Sequence, residues 1–239
     1  MGKSTVSLES DRPAMRSIEP WARGGRQLLS DDARARLAGI ASIAQFEKGA
    51  VIYREGDPAD AIFTINAGVV TAYRKAGKGS EHIVAFLFPG DLFGLAEDGG
   101  YANSVRAAAS GTAYRLPLPA LRNQLSKDTE LVSHIVCTLC RELRQAQGHA
   151  LLLGRRSAKS KLAMFLQFLQ QRQAARGEQM TEIALPMSRS DIAGYVGLTL
   201  PALSRAFHSL AARGIIKSRS LRQVSIADRN AFDELLLAS

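Results

Sequence analysis

Residues 189–208, RSDIAGYVGLTLPALSRAFH, have the residue types and spacing of a helix-turn-helix. Ala193 stands fifth, Gly197 ninth and Leu203 fifteenth, with Ile192, Val196 and Leu198 as apolar spacers. Two steeply crossing helices need a small side chain at closest approach, and Ala193 supplies it. The tight turn between them needs a residue that tolerates positive φ, and Gly197 supplies that. Ile192, Val196, Leu203 and Phe207 then bury the inner faces, leaving one face of the second helix free for a DNA major groove. The chemistry implied is hydrogen bonding to base edges and phosphates.

The charge agrees with that partner. Residues 154–224 carry twelve Lys or Arg against three acids, so this stretch holds the whole net charge of +9. A positive field beside a base-reading helix is what phosphate neutralisation requires. Against an enzyme, the chain shows no Ser/His/Asp set, no phosphate-cradling glycine loop and no metal-ligand cluster, and it is expected not to be one. No apolar run approaches the roughly 20 residues that cross a bilayer. The first twenty residues are polar and lack the apolar core of a secretory signal. A cytoplasmic protein without a membrane partner is expected.

The 239 residues suffice for two domains. Residues 1–28 read as a flexible N-terminal segment with Trp21 as its one large anchor. Residues 29–128 read as an antiparallel β-roll. Short runs (Val51–Tyr53, Ile62–Ile65, Val69–Tyr73, His82–Phe88, Ser104–Ala108, Thr112–Leu116) alternate there with glycines read as turns, among them Gly68 and Gly111. Residues 129–153 read as a long helix. Val132, Val136, Leu139, Leu143, Ala146, Ala150 and Leu153 form an unbroken a/d seam along it, expected to zip two copies into a dimer. Residues 154–239 read as a winged helix-turn-helix. Ser157 caps a helix with a stripe of Leu162, Phe165, Leu166 and Leu169; a strand follows at Ile183–Leu185. The wing is a hairpin of Ile215–Lys217 with Gln223–Ile226, carrying Lys217, Arg219 and Arg222. A last helix spans Arg229–Leu237. The fold class is α+β.

A glycine-punctuated β-roll, a dimerisation helix and a basic winged helix-turn-helix together resemble the CRP/FNR family of bacterial transcription regulators. The motifs are YREGDPADAIFTINAGVV (53–70), FLFPGDLFGL (86–95), LGRRSAKSKLAMFL (153–166) and MSRSDIAGYVGLTLPALSRAF (187–207). Their texture is nearest the FNR/FixK branch. The resemblance implies a cyclic-nucleotide-binding-like roll and a homodimer on an inverted-repeat operator, with activation through contact with RNA polymerase. The branch reads DNA with a helix motif E-x-x-S-R, which falls here on Pro201, Ala202, Leu203, Ser204 and Arg205. Arg205 has the fork that holds both guanine acceptors. Pro201 replaces the acid and carries no hydrogen-bonding side chain, though it suits a first helical turn. The half-site is therefore expected to depart from the branch's TTGA-type sequence or to be read less stringently. Ser188, Arg189, Lys217 and Arg222 are candidates for phosphate contacts, and Thr199 joins the DNA-facing set.

The sensor is read by what stands at known motif positions. The cyclic-nucleotide branch uses Gly-Glu, then Arg-Ser, to hold a phosphate. This chain has Gly94-Leu95 and Tyr101-Ala102, and Ala146-Gln147 where the adenine-contacting pair would fall. A buried phosphate without a cation is costly, so cyclic AMP is disfavoured. Arg106 reads as an ion-pair partner. An iron–sulfur cluster needs four thiolates, and the chain has only Cys137 and Cys140, read as small packing residues beside the seam. Haem stays as a minor alternative: His82 is the roll's one histidine, and His134, His149 and His208 lie elsewhere. The reading that remains has no cofactor. Its alternative is a sensor of haem or another ligand, other than cyclic AMP, with weakly specific DNA association.

Overall fold

A computed structural model describes residues 7–9, 30–77, 80–97, 99–178 and 181–237. Trp21 and most of the flexible segment expected at 1–28 lie outside the described residues. Within it, Ser7–Glu9 forms strand β1, paired antiparallel with β2 (Ser42–Phe46). The chain divides into two compact units, 1–143 and 144–239.

In the first unit, α1 (Asp31–Ile40) precedes β2, and β3 (Val51–Tyr53), β4 (Ala61–Ala76), β5 (Ser80–Leu87), β6 (Leu92–Phe93), β7 (Ala96–Glu97), β8 (Gly100–Tyr101) and β9 (Ser104–Pro117) follow. The main sheet runs β1-β2-β9-β4-β5, with β3 on β9 and β6 on β4, antiparallel throughout. Its core gathers Phe46, Tyr53, Phe63, Ile65, Val70, Phe93, Tyr101 and Val105.

Two expected turns are corrected. Gly68 and Gly111 do not reverse the chain; they sit inside the long strands β4 and β9, where the register shifts around Ala67. A Cβ on Gly111 would lie 2.0 Å from the Ala67 carbonyl oxygen, and one on Gly68 2.7 Å from that of Ser110. Bare backbones touch at this bulge, so four expected short runs fuse into two bent strands.

The helices α1, α2 (Leu118–Leu125) and the start of α3 (Thr129–Gly154) share a second apolar cluster of Ala33, Leu37, Leu116, Leu121 and Leu131. Neither α1 nor α2 was expected. Ser30 caps α1 by accepting from the Ala33 amide, and Arg36 pairs with Asp128 at 2.5 Å. The helix read as 129–153 is observed as α3, one residue longer.

In the second unit, α4 (Ala158–Ala175) is the hub. Its expected stripe of Leu162, Phe165, Leu166 and Leu169 is fully buried, and Ser157 is its cap. A three-stranded sheet, β10 (Ile183–Ala184), β12 (Gln223–Ile226) and β11 (Ile216–Ser220), is tied to α4 through Gln173. Its side-chain amide donates to the Glu182 carbonyl at 3.0 Å, and its carbonyl accepts from the Ala184 amide at 3.1 Å. Helices α5 (Arg189–Val196) and α6 (Leu200–Ala212) form the helix pair, and α7 (Arg229–Leu237) packs on α4 with Phe232 buried. Among the described residues, no helix is long and apolar enough to cross a membrane.

Candidate nucleic-acid interface

The helix pair is built as its spacing requires. Ser188 accepts from the Asp191 amide at 3.0 Å while the Asp191 carboxylate accepts from the Ser188 amide at 3.4 Å, a capping box that starts α5. Gly197 stops α5 in the left-handed region, at φ 65° and ψ 45°. Thr199 accepts from the Ala202 amide at 3.3 Å, and Pro201 occupies the first turn of α6, where a missing amide costs nothing. Ile192, Ala193, Val196, Leu203, Ala206, Phe207 and Leu210 are buried between the helices and the hub.

The opposite face of α6 is open. Pro201, Ser204, Arg205 and His208 are all exposed, one helical turn or less apart. Arg205 has no ion-pair or hydrogen-bond partner among the described residues, so its five donors face solvent. His208, passed over as a site residue in the sequence, shares this face because it lies four residues after Ser204.

The phosphate candidates separate. Lys217 and Arg222 are exposed on the β11–β12 hairpin, where the Arg222 amide donates to Ser220 Oγ at 3.1 Å. The nearby Arg219 pairs with Glu182 at 2.9 Å, and Leu221 at the hairpin tip is exposed. Ser188 is exposed but committed to its cap. Arg189 is different. Its guanidinium lies 3.6 Å from the centroid of Phe207, half-buried, with Nη1 enclosed and without a partner. Burial lowers its pKa from the ordinary arginine value. In this protomer Arg189 staples α5 to α6.

Along α3 the seam residues Val132, Val136, Leu139 and Leu143 are exposed, Leu143 at 60%, while Leu131, His134 and Thr138 on another face are buried. Ala146 and Ala150 are exposed as well. Leu153 is exposed to the same degree, at 43%, and its Cδ2 lies 3.0 Å from where a Cβ on Gly197 would stand. Cys137 and Cys140, expected to be packing residues, are both exposed thiols.

In the β-roll, Tyr101 at the second motif position lies among stacked rings, while Leu95 at the first is exposed. Tyr101 stacks on Tyr53 at 3.8 Å between centroids, Phe63 on Phe93 at 5.0 Å, and the Tyr101 hydroxyl donates to the Ala61 carbonyl at 3.0 Å. Burial raises the phenols of Tyr53 and Tyr101. A Cβ on Gly94 would come within 3.3 Å of Tyr101. Arg106 pairs with Glu81 over the ring of Tyr73, as its reading as an ion-pair partner expects. His82 is exposed and His134 is buried, and burial pushes the His134 imidazole down to about 4.

Residues 43–128 match the model of the cyclic nucleotide-binding domain, and residues 160–235 that of the Crp-like helix-turn-helix domain. The nitrogen fixation regulation protein FixK of Azorhizobium caulinodans is 31% identical over 219 residues, covering 90% of this chain and 88% of its own. That of Rhizobium meliloti is 32% identical over 201 residues, 84% of this chain and 90% of its own. The solved structure of FixK2 from Bradyrhizobium japonicum superposes with a TM-score of 0.76 at 31% identity, covering 84% of this chain and 99% of that one.

Proposed function

The chain belongs to the CRP/FNR family of transcription regulators, and from that premise we propose that it binds an inverted-repeat operator as a homodimer. Its FixK-like sequence and helix-turn-helix make it a DNA-binding regulator. The observation that carries the finer reading is Arg205, exposed and unpaired beside Ser204 on the open face of a capped α6. A bidentate arginine–guanine contact there is worth about 1–3 kcal/mol of discrimination. Lys217 and Arg222 hold phosphates and set register without reading sequence. Pro201 leaves one base pair of each half-site without a hydrogen-bonding reader. The exposed α3 seam zips two copies, which sets two α6 helices about one duplex turn apart. Bound this way, the dimer activates transcription by contact with RNA polymerase.

The regulator works without a bound effector in this reading. Tyr101 supports it, because this motif position carries a ring stacked on Tyr53 within the roll's core where the cyclic-nucleotide branch has an arginine. A ligand there would have to displace a packed core.

Selection of bound oligonucleotides from a random pool, with and without reductant, tests the whole reading. An inverted repeat of one half-site is expected. Arg205→Ala should lose operator preference yet keep weak, salt-sensitive association; a variant that still prefers its operator over random DNA refutes the base-reading role. Leu143→Asp should sediment as a monomer and bind poorly. An intact dimer would remove the seam.

A further inference from the structure

We infer that His149 is a positioning residue for operator recognition: it clamps the last turns of α3 onto α5 and so fixes the heading of the reading helix. The inference rests on the dimeric DNA-binding reading above and extends it to the separation of the half-sites.

His149 Nε2 lies 2.7 Å from the Tyr195 carbonyl oxygen. A carbonyl can only accept, so Nε2 carries the hydrogen and donates it. The two rings also stack, 3.9 Å between centroids and 2° from parallel. Tyr195 is buried, with Phe165 and Phe168 of α4 against its other sides at 5.6 and 6.3 Å. The partner atom is itself informative. Tyr195 stands in the last turn of α5, where carbonyls have no amide of their own helix to accept from. The Leu198 amide goes to Ala193 instead, at 2.9 Å. His149 donates to the Tyr195 carbonyl from 46 residues away in sequence.

The covalent route between the two helices is short and is itself tied to α7 and α4: the Arg155 guanidinium donates to the Leu236 carbonyl at 3.1 Å, and Ser157 caps α4. Only Arg155, Arg156 and Ser157 join α3 to α4, directly after Gly154. Leu152, buried, and Leu153, against the Gly197 turn, hold the same end of α3 from the side. Apolar packing is not directional, whereas a 2.7 Å hydrogen bond beside a parallel ring stack fixes both distance and orientation. Burial also lowers the His149 pKa, which keeps the ring neutral and the stack undisturbed at neutral pH.

The readout that separates positioning from mere stability is the preferred gap between half-sites. Full-length protein is titrated with operators carrying the selected half-sites at their selected separation and one base pair wider or narrower. The clamp predicts that His149→Ala shrinks the preference for the selected separation by about fivefold or more, the size expected when contacting groups are uncoupled. Preference for the half-site sequence, carried by Arg205, should stay. His149→Gln keeps a donor without the stack and should retain part of the preference. Tyr195→Phe keeps both ring and carbonyl and should match the parent. An unchanged separation preference in His149→Ala, even with a lowered Tm, overturns the clamp. Should His149→Ala fail to fold, an unchanged preference in His149→Gln overturns it equally. A parent protein that selects no repeated half-site at all refutes the DNA reading beneath, and the clamp with it.

Discussion

The β-roll and the helix pair both keep the framework of their family domains, yet they treat their functional positions in opposite ways. In the roll, Tyr101, at a motif position, is packed with Tyr53, Phe63 and Phe93, ring against ring. On α6, Ser204, Arg205 and His208 are left in solvent with nothing packed over them. A side chain that contributes to the fold is unavailable to a partner, and a side chain held for a partner contributes little to the fold. The same chain therefore has a packed aromatic interior in one domain and an open polar face on α6 in the other.

This contrast can be broken by substitution. The largest effect is expected at Tyr101→Ala, which empties a stacked position and should cost about 3–5 kcal/mol of stability, read as a lower denaturation midpoint. If the midpoint does not move, the aromatic interior is not the core it is taken to be. Next comes His134, whose buried imidazole titrates near 4 instead of 6.5. Burial is the main cause, with Arg141 pushing the same way and Glu130 opposing. The unfolded chain binds this proton more readily, so the first unit should lose up to about 3 kcal/mol as pH falls from 6.5 toward 4, and no more from this group below that. His134→Gln should flatten that slope in chemical denaturation. The smallest effect sharpens the contrast: Arg205→Ala, so damaging to recognition, should shift stability by less than about 0.5 kcal/mol.

Much of the reading face was legible because its determinants are local. Ala193 and Gly197 act within one or two turns of themselves, and their spacing states their roles; Ser188 and Thr199, read only as DNA-facing, also cap α5 and α6. The exposed apolar row along α3 was legible for the same reason, since a heptad is a local period. Gly68 and Gly111 misled because a glycine that turns a chain and a glycine that lets two strands touch look alike until the partner strand is known. The helices α1 and α2 are short, and their burial depends on Leu116 and Leu131, far along the chain. Arg189 was read by its charge, but Phe207, brought beside it by the helix crossing, gives it a ring to cover. His149 could not be paired with Tyr195 from sequence, because no local rule spans 46 residues.

The glycine contact inside the roll also tells an engineer where to build. At Gly49 and Gly56 a Cβ would meet nothing within 4 Å, but both stand at positive φ and their amides donate to the Ala107 and Tyr101 carbonyls at 2.8 and 2.9 Å, so only changes that leave this backbone in place suit these turns. At Gly68 and Gly111 even a single methyl has nowhere to go, and a cassette placed there would pry the two longest strands apart.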